Sequence, residues 1–345
     1  MSGATSFTSV PIVDISGLRS PDRAERERVA GEIGKAAGEV GFLYVSGAGV
    51  DDVLFERMLA STKEFFALPL EEKMRHYIGL SRCHRGYVPP GEEGLATGMP
   101  ELKEAFDTAL DLPADDPDYL VGNPMLGPNT WPNLAGFADA VTAYYQAILG
   151  VGHRLLGAFA VALREDPDTF SRHATKTPSQ LRLIHYPYNP DAVDGEGIGA
   201  HTDYECFTLL KPTAPGLEVL NGAGEWIDVP PVPGTFVVNI GDMLELWTNG
   251  AYVATSHRVR KVAEERYSFP LFFSVDYHTE VKPLPQFASR DGRHRPTLRA
   301  GEHLFAQTAQ TFAYLRNRVE AGELVLPEGS LETGQFGQQA LQKRA

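Results

Sequence analysis

The stretch Gly199-Ala200-His201-Thr202-Asp203-Tyr204-Glu205-Cys206-Phe207-Thr208 decides how the rest of this 345-residue chain is read. At its centre a histidine and an aspartate are separated by one residue. On an extended strand successive side chains alternate in direction, so His201 and Asp203 project to the same side. An imidazole nitrogen and a carboxylate oxygen aimed at one spot suit a borderline divalent ion such as Fe(II). A third, distant histidine would complete a facial triad with open positions for substrate and dioxygen. Short strands and turns produce His-x-Asp often by chance, so the pair means little without that third ligand.

His257, in Ala254-Thr255-Ser256-His257-Arg258-Val259, is the best candidate: it sits in a well-formed strand context on a later strand, as expected when a sheet closes around a metal. Arg266 and Ser268 then follow on the next strand, again separated by one residue and facing the same way. An inward-facing guanidinium without a partner is costly to bury. It needs an anion, and the carboxylate of a small co-substrate matches its planar fork, with the serine hydroxyl adding a hydrogen bond.

Composition narrows the classes. Hydrophobic residues make up 43% of the chain and aromatic residues 10%, enough for a sizeable core. Lys plus Arg at 31 against Asp plus Glu at 45 gives a net charge of −14, which repels phosphate backbones and anionic membranes. Nucleic acid and membrane partners are therefore not expected. Two cysteines, Cys83 and Cys206, cannot make a disulfide framework, and the N-terminal MSGATSFTSV lacks the basic and apolar regions of a secretion signal. A cytoplasmic location is expected.

Along the chain, Val10–Ile15 reads as a strand and residues 23–40 as an amphipathic helix stopped by Gly41, followed by a strand over Phe42–Val45. A second helix is capped by Asp51 or Asp52, and a short third piece covers Leu70–Arg75. The Pro- and Gly-rich loop from Cys83 to Gly98 reads as a solvated turn around Arg85, Tyr87, Glu92 and Glu93. Leu102–Leu112 is a candidate strand, and Leu134–Leu163 a long helix with Gly150 and Gly152 as weak points; His153 within it reads as a packed or surface residue. Eight short strands follow: Leu181–Tyr186, Cys206–Lys211, Leu217–Leu220, Trp226–Val229, Thr235–Ile240, Leu244–Trp247, Ser256–Arg260 and Tyr267–Val275. They suggest a jelly-roll or related barrel. A polar segment over Pro283–Pro296, a helix from Gly301 to Val319 and a weakly ordered end complete the chain.

The motifs PIVDISGL, GFLYVSG, RGYVPPGEE, LKEAFD, LIHYPYNP, GIGAHTDYECFTLL, VVNIGDMLELWTNG, SHRV and RYSFPLFFSVDY, spanning Pro11 to Tyr277, together resemble the isopenicillin N synthase-like Fe(II)/2-oxoglutarate-dependent oxygenases. The resemblance implies a mixed α/β fold with a mainly β core, a double-stranded β-helix (jelly-roll) with flanking N-terminal and central helices. It implies one oxygenase domain over 1–320, made of an N-terminal region (1–100), a central strand and long helix (101–178), a jelly-roll core (179–283) and a C-terminal helix (300–320), with 321–345 as a tail. His201, Asp203 and His257 match the Fe(II) ligands; Arg266 and Ser268 match the pair that holds the distal carboxylate of 2-oxoglutarate, with Tyr186 assisting. Ile184 stands where plant members commonly have an asparagine. Asp203 fills the position that is small in the related halogenases, which disfavours halogenation.

The chemistry so implied converts 2-oxoglutarate and O2 to succinate and CO2 while oxidising an unactivated C–H bond of a small polar, amino-acid-derived or secondary-metabolite molecule, by hydroxylation, desaturation or cyclisation. Two alternatives remain: a 2-oxoglutarate-independent iron oxidase of the isopenicillin N synthase kind, and a catalytically idle metal-binding barrel acting as an interaction protein. For the substrate, Arg182 lies on the same strand face as Tyr186 and could meet a carboxylate. Glu92 and Glu93 could complement an amine, and this loop with Arg182 is similar to that of the bacterial ethylene-forming enzyme, which handles arginine. Surface ion pairing is the competing reading for all three. Glu205, in phase with Asp203, either lines the pocket or ends a solvated strand, and His185 should point away from the metal.

Overall fold

The computed structural model describes residues 6–94, 103–188, 196–260, 263–288 and 297–331. Twelve strands among them carry the architecture: β1 (Ile12–Asp14), β2 (Phe42–Ser46), β3 (Gly86–Val88), β4 (Glu104–Ala109), β5 (Gln180–Tyr186), β6 (Glu196–His201), β7 (Phe207–Pro212), β8 (Leu217–Leu220), β9 (Trp226–Asp228), β10 (Phe236–Ile240), β11 (His257–Arg260) and β12 (Arg266–Phe273). Eight of these form one sheet in the order β1-β2-β10-β7-β12-β5-β4-β3, and the other four form a second sheet, β6-β11-β8-β9. The chain passes repeatedly between the two, so strands distant in sequence become neighbours, as in a double-stranded β-helix.

The helices are α1 (Arg23–Glu39), α2 (Asp52–Phe66), α3 (Leu70–Met74), α4 (Pro117–Leu120), α5 (Phe137–Ala162), α6 (Asp168–Ser171), α7 (Asp242–Trp247), α8 (Ala300–Thr311) and α9 (Ala313–Glu320). Asp22 caps α1 and Asp51, not Asp52, caps α2, each carboxylate accepting from the backbone amide two residues on. α1 buries Val29, Ala30, Ile33, Ala36 and Ala37 and packs with α2 against α5. Gly41 ends α1 with φ +73, and a Cβ there would collide with the Val253 carbonyl and Thr255; the turn needs glycine on both counts. No helix among the described residues is long and apolar enough to cross a membrane.

Several sequence expectations are corrected. The expected weak points in the long helix are absent, because α5 runs unbroken through Gly150 and Gly152. Gly152 instead lets the helix lie against the Phe273 ring, which a Cβ would strike. Leu244–Trp247 is helix α7 rather than a strand. The amides of Gly241, Asp242 and Met243 bond to the carbonyls of Cys206 (2.9 Å), Asp203 (2.8 Å) and Glu205 (3.2 Å); these bonds to the 203–206 loop take the place of a continued ladder, and the chain turns into a helix there. Glu196–His201, absent from the eight expected strands, is strand β6 and pairs with β11. The C-terminal helix is two helices, broken at Phe312, whose backbone is extended (φ −96, ψ 126) and whose ring is buried. Residues 95–98 of the expected loop, Leu102 of the expected strand, residues 289–296 of the polar segment and 332–345 of the tail lie outside the described residues.

The 83–94 loop departs furthest from a solvated turn. It contains β3, paired with β4, and Arg85 and Tyr87 are fully buried. The Arg85 guanidinium is held by the carbonyls of Cys83 (2.8 Å), His84 (2.9 Å) and Met125 (2.6 Å), and the Tyr87 hydroxyl donates to Glu104 at 2.6 Å.

Candidate active site

His201 is the last residue of β6 and His257 the first of β11, and the two stand directly opposite each other across the antiparallel pair. Their ring centroids are 4.3 Å apart. Asp203 lies two residues beyond the end of β6, in the loop to β7, rather than on the strand itself. His201 Nε2 and His257 Nε2 each lie 3.5 Å from Asp203 Oδ1, and the potential ligand atoms of the three residues fall within 4.8 Å of one another.

The donor set fits a divalent metal. His201 Nδ1 is 2.8 Å from the Gly199 carbonyl and His257 Nδ1 is 3.3 Å from the Thr255 carbonyl. A carbonyl only accepts, so in both rings Nδ1 carries a proton and Nε2 is the atom turned toward Asp203, the one a metal would take. Burial would lower His201, but Asp203 outweighs it and raises that imidazole above its ordinary value. Burial, with His201 alongside, pushes the His257 imidazole down to about 4, which keeps it neutral. Burial alone would push the Asp203 carboxyl up; the imidazoles of His257 and His201 and the Thr208 hydroxyl outweigh it and hold Asp203 well below the usual carboxylate range. Its second oxygen, Oδ2, accepts from Thr208 Oγ1 and from Asn239 Nδ2, the latter at 2.6 Å.

Arg266 and Ser268 sit on β12 opposite Tyr186 and Ile184 of β5. Arg266 is 1% exposed. Its Nε donates to the Ala214 carbonyl at 3.2 Å, its guanidinium lies 4.8 Å from the centre of the Tyr186 ring, and Nη1 has no partner among the described residues. Burial works against its charge. A buried guanidinium in this state is matched by a carboxylate brought by a ligand, and the co-substrate expected from the sequence supplies one.

Arg182, on β5, presents the opposite case. Its Nε and Nη2 grip both oxygens of Asp107 at 2.7 and 2.8 Å, and Nη1 donates to Glu93 at 2.7 Å. Glu93 also pairs with Lys103 Nζ at 3.0 Å. The carboxylate expected from a substrate is thus already supplied by the chain. Although burial opposes its charge, Asp107 and Glu93 hold Arg182 well above its ordinary value. The charge of Lys103 works to lower His201 and that of Arg182 to lower Glu205, each against larger opposing influences or burial. Phe312 covers the network, its ring 5.3 Å from the Arg182 guanidinium.

Glu92 is a clamp rather than a neighbour of a substrate amine. One oxygen accepts from the Tyr77 hydroxyl and the other from the Tyr314 amide, both at 2.8 Å, so it caps the start of α9. Glu205 is buried and pushed up to about 8, by burial first and by Asp203 second; it is not a solvated strand end. His185 faces away from the metal, between Glu104 (2.9 Å) and Glu265 (3.0 Å) and stacked on Tyr267, and His153 packs on Phe273.

Sequence reading did not single out Asp107, Lys103, Thr208, Asn239 or Phe312. Asp107 was within reach, because it is the cross-strand partner of Arg182. The others carry no local signal of their own.

Residues 10–134 match the non-haem dioxygenase in morphine synthesis N-terminal family, and residues 177–275 match the 2OG-Fe(II) oxygenase superfamily. A homoarginine-6-hydroxylase of Glycine max is 36% identical over 333 residues, covering 90% of this chain and 100% of that protein. A 2OG-Fe(II) oxygenase family protein from Caulobacter crescentus superposes with a TM-score of 0.76 at 31% identity, over 91% of this chain and 99% of the other. A Neurospora crassa protein crystallised with alpha-KG gives a TM-score of 0.75 at 26% identity, over 87% and 96%. The chain belongs to the 2OG-Fe(II) oxygenase superfamily. It is an oxidoreductase, a 2-oxoglutarate-dependent dioxygenase using Fe(II) and O2 on a small molecule; neither the oxidase alternative nor the idle barrel is favoured.

Proposed function

We propose that His201, Asp203 and His257 hold Fe(II), that Arg266 and Ser268 bind the far carboxylate of 2-oxoglutarate, and that the chain hydroxylates a C–H bond of a small, amino-acid-derived substrate carrying a basic group. The observation that carries this reading is the buried guanidinium of Arg266, which meets no carboxylate among the described residues, in the same barrel as the His-Asp-His cluster. Bound there, iron and 2-oxoglutarate would supply the oxidising power, with succinate and CO2 as the by-products.

The residues of the chain do the positioning. The two histidines offer Nε2 because their Nδ1 protons are tied to backbone carbonyls. Tyr186 lies against the Arg266 guanidinium and keeps it oriented. The Glu93–Arg182–Lys103 wall, roofed by Phe312, is the surface against which the substrate's polar groups would be oriented. An amino-acid substrate with a basic group is supported by the similarity to a protein named for homoarginine hydroxylation; the Glu93 carboxylate is already held by Arg182 and Lys103. Residues 1–320 are taken as the unit that carries all of this.

Succinate formed under air with Fe(II) and 2-oxoglutarate, measured against a panel of homoarginine, arginine, lysine and neutral amino acids, tests the assignment. Basic amino acids should stimulate it most, and His257→Ala should abolish the stimulation while leaving the fold intact. Stimulation confined to neutral compounds would remove the substrate class, and full turnover in His257→Ala would remove the triad.

A further inference from the structure

Asp203 is held by more than its backbone. Thr208 and Asn239 are directly opposite one another on the paired strands β7 and β10, each is 2% exposed, and both aim at the same carboxylate oxygen, Oδ2. The ionised carboxylate only accepts hydrogen bonds. The Asn239 amide must therefore turn its NH2 toward Asp203, and Thr208 must donate its hydroxyl proton. The other oxygen, Oδ1, is the one that stands 3.5 Å from both imidazole Nε2 atoms. The Asp203 carbonyl is separately tied to the Asp242 amide at 2.8 Å, so backbone and side chain are both fixed.

We infer that Thr208 and Asn239 are positioning residues that commit Asp203 to bind the metal through Oδ1 alone. Rotating the carboxylate to offer both oxygens would leave two buried donors without partners, a cost of about 1–3 kcal/mol for each. A ligand kept to one oxygen occupies a single position on the metal and leaves the remaining ones to co-substrate and dioxygen. The two donors come from adjacent strands of the large sheet, which makes the device rigid where a loop residue would not be.

The inference rests on Asp203 being a metal ligand, and the test separates the two. Full-length apo-protein is titrated anaerobically with Co(II), followed by its visible d–d absorption, and the melting temperature of each apo-variant is recorded. Thr208→Val, which keeps the shape and removes the hydroxyl, and Asn239→Leu should each weaken Co(II) binding roughly 10- to 100-fold, and Thr208→Ser should restore it to within about threefold of the parent. Asp203→Ala is the control. If it retains the parent affinity, the ligand assignment itself fails. If Asp203→Ala loses the metal while Thr208→Val and Asn239→Leu bind as the parent does, the positioning role alone is overturned. Equal loss in Thr208→Val and Thr208→Ser would also overturn it, since packing rather than the hydroxyl would then be at work. Should Asn239→Leu not fold, the Thr208 pair decides.

Discussion

Two buried arginines on adjacent strands of the same sheet have opposite surroundings. Arg182 on β5 holds two carboxylates of the chain, Asp107 in a two-pronged grip and Glu93 through its other nitrogen. Among the described residues Arg266 on β12 meets no carboxylate; a backbone carbonyl and the face of Tyr186 are its neighbours, and Nη1 is left over. A guanidinium neutralised from within is part of the wall. One left open in the interior marks where a ligand's anion belongs, because an unpaired buried charge is tolerated only where something else completes it.

That contrast can be broken by comparing two parallel substitutions. Arg182→Leu leaves Asp107 and Glu93 buried without their cation and should cost about 3–5 kcal/mol of stability, read by urea denaturation. Arg266→Leu should move the half-saturating 2-oxoglutarate concentration up by about 100-fold, roughly 2.7 kcal/mol, while the apo-protein melts no lower than the parent. A large loss of stability in Arg266→Leu, or none in Arg182→Leu, would erase the distinction.

A second saturated network sharpens it. Glu104 accepts from Lys73 (2.7 Å), Tyr87 (2.6 Å) and His185 (2.9 Å). Burial would raise its carboxyl, but these hydrogen bonds outweigh burial and hold it below its ordinary value of 4.5. A carboxylate depressed on folding contributes stability that is complete above the ordinary value and is lost as pH falls through the depressed one. Melting temperatures followed downward from pH 5 should therefore fall less steeply in Glu104→Gln than in the parent; parallel curves would mean Glu104 is not depressed. The smallest effect is expected at Glu92, where Glu92→Ala removes the cap of α9 at about 0.5–2 kcal/mol and leaves the concentration dependence on substrate unchanged. A raised substrate requirement there would return Glu92 to the pocket.

Much of the site was legible because its key residues carry local patterns. His201 and His257 are set by strand context and face each other across β6 and β11, whereas Asp203 joins them from the loop beyond β6 and not through strand alternation; Arg266 and Ser268 share one face of β12. The Arg182 network was not legible, because its members come from the loop at Glu93, from Lys103 and β4, and from β5, and meet only when the sheet forms. Phe312 was hidden inside a helical pattern: its extended backbone is set by packing against His84 and Arg182, which outweighs propensity. α7 was misread because Leu244–Trp247 is buried throughout; a short apolar run without alternation fits either structure, and the bonds that choose helix come from the loop carrying Asp203.

The most direct test of the Arg266 assignment is an anaerobic titration of the Fe(II)-loaded protein with 2-oxoglutarate, following the weak visible charge-transfer band. The parent should develop the band, and Arg266→Leu should need about 100-fold more 2-oxoglutarate to do so. An identical titration in the two proteins would show that the open guanidinium of Arg266 is not where the co-substrate's carboxylate binds.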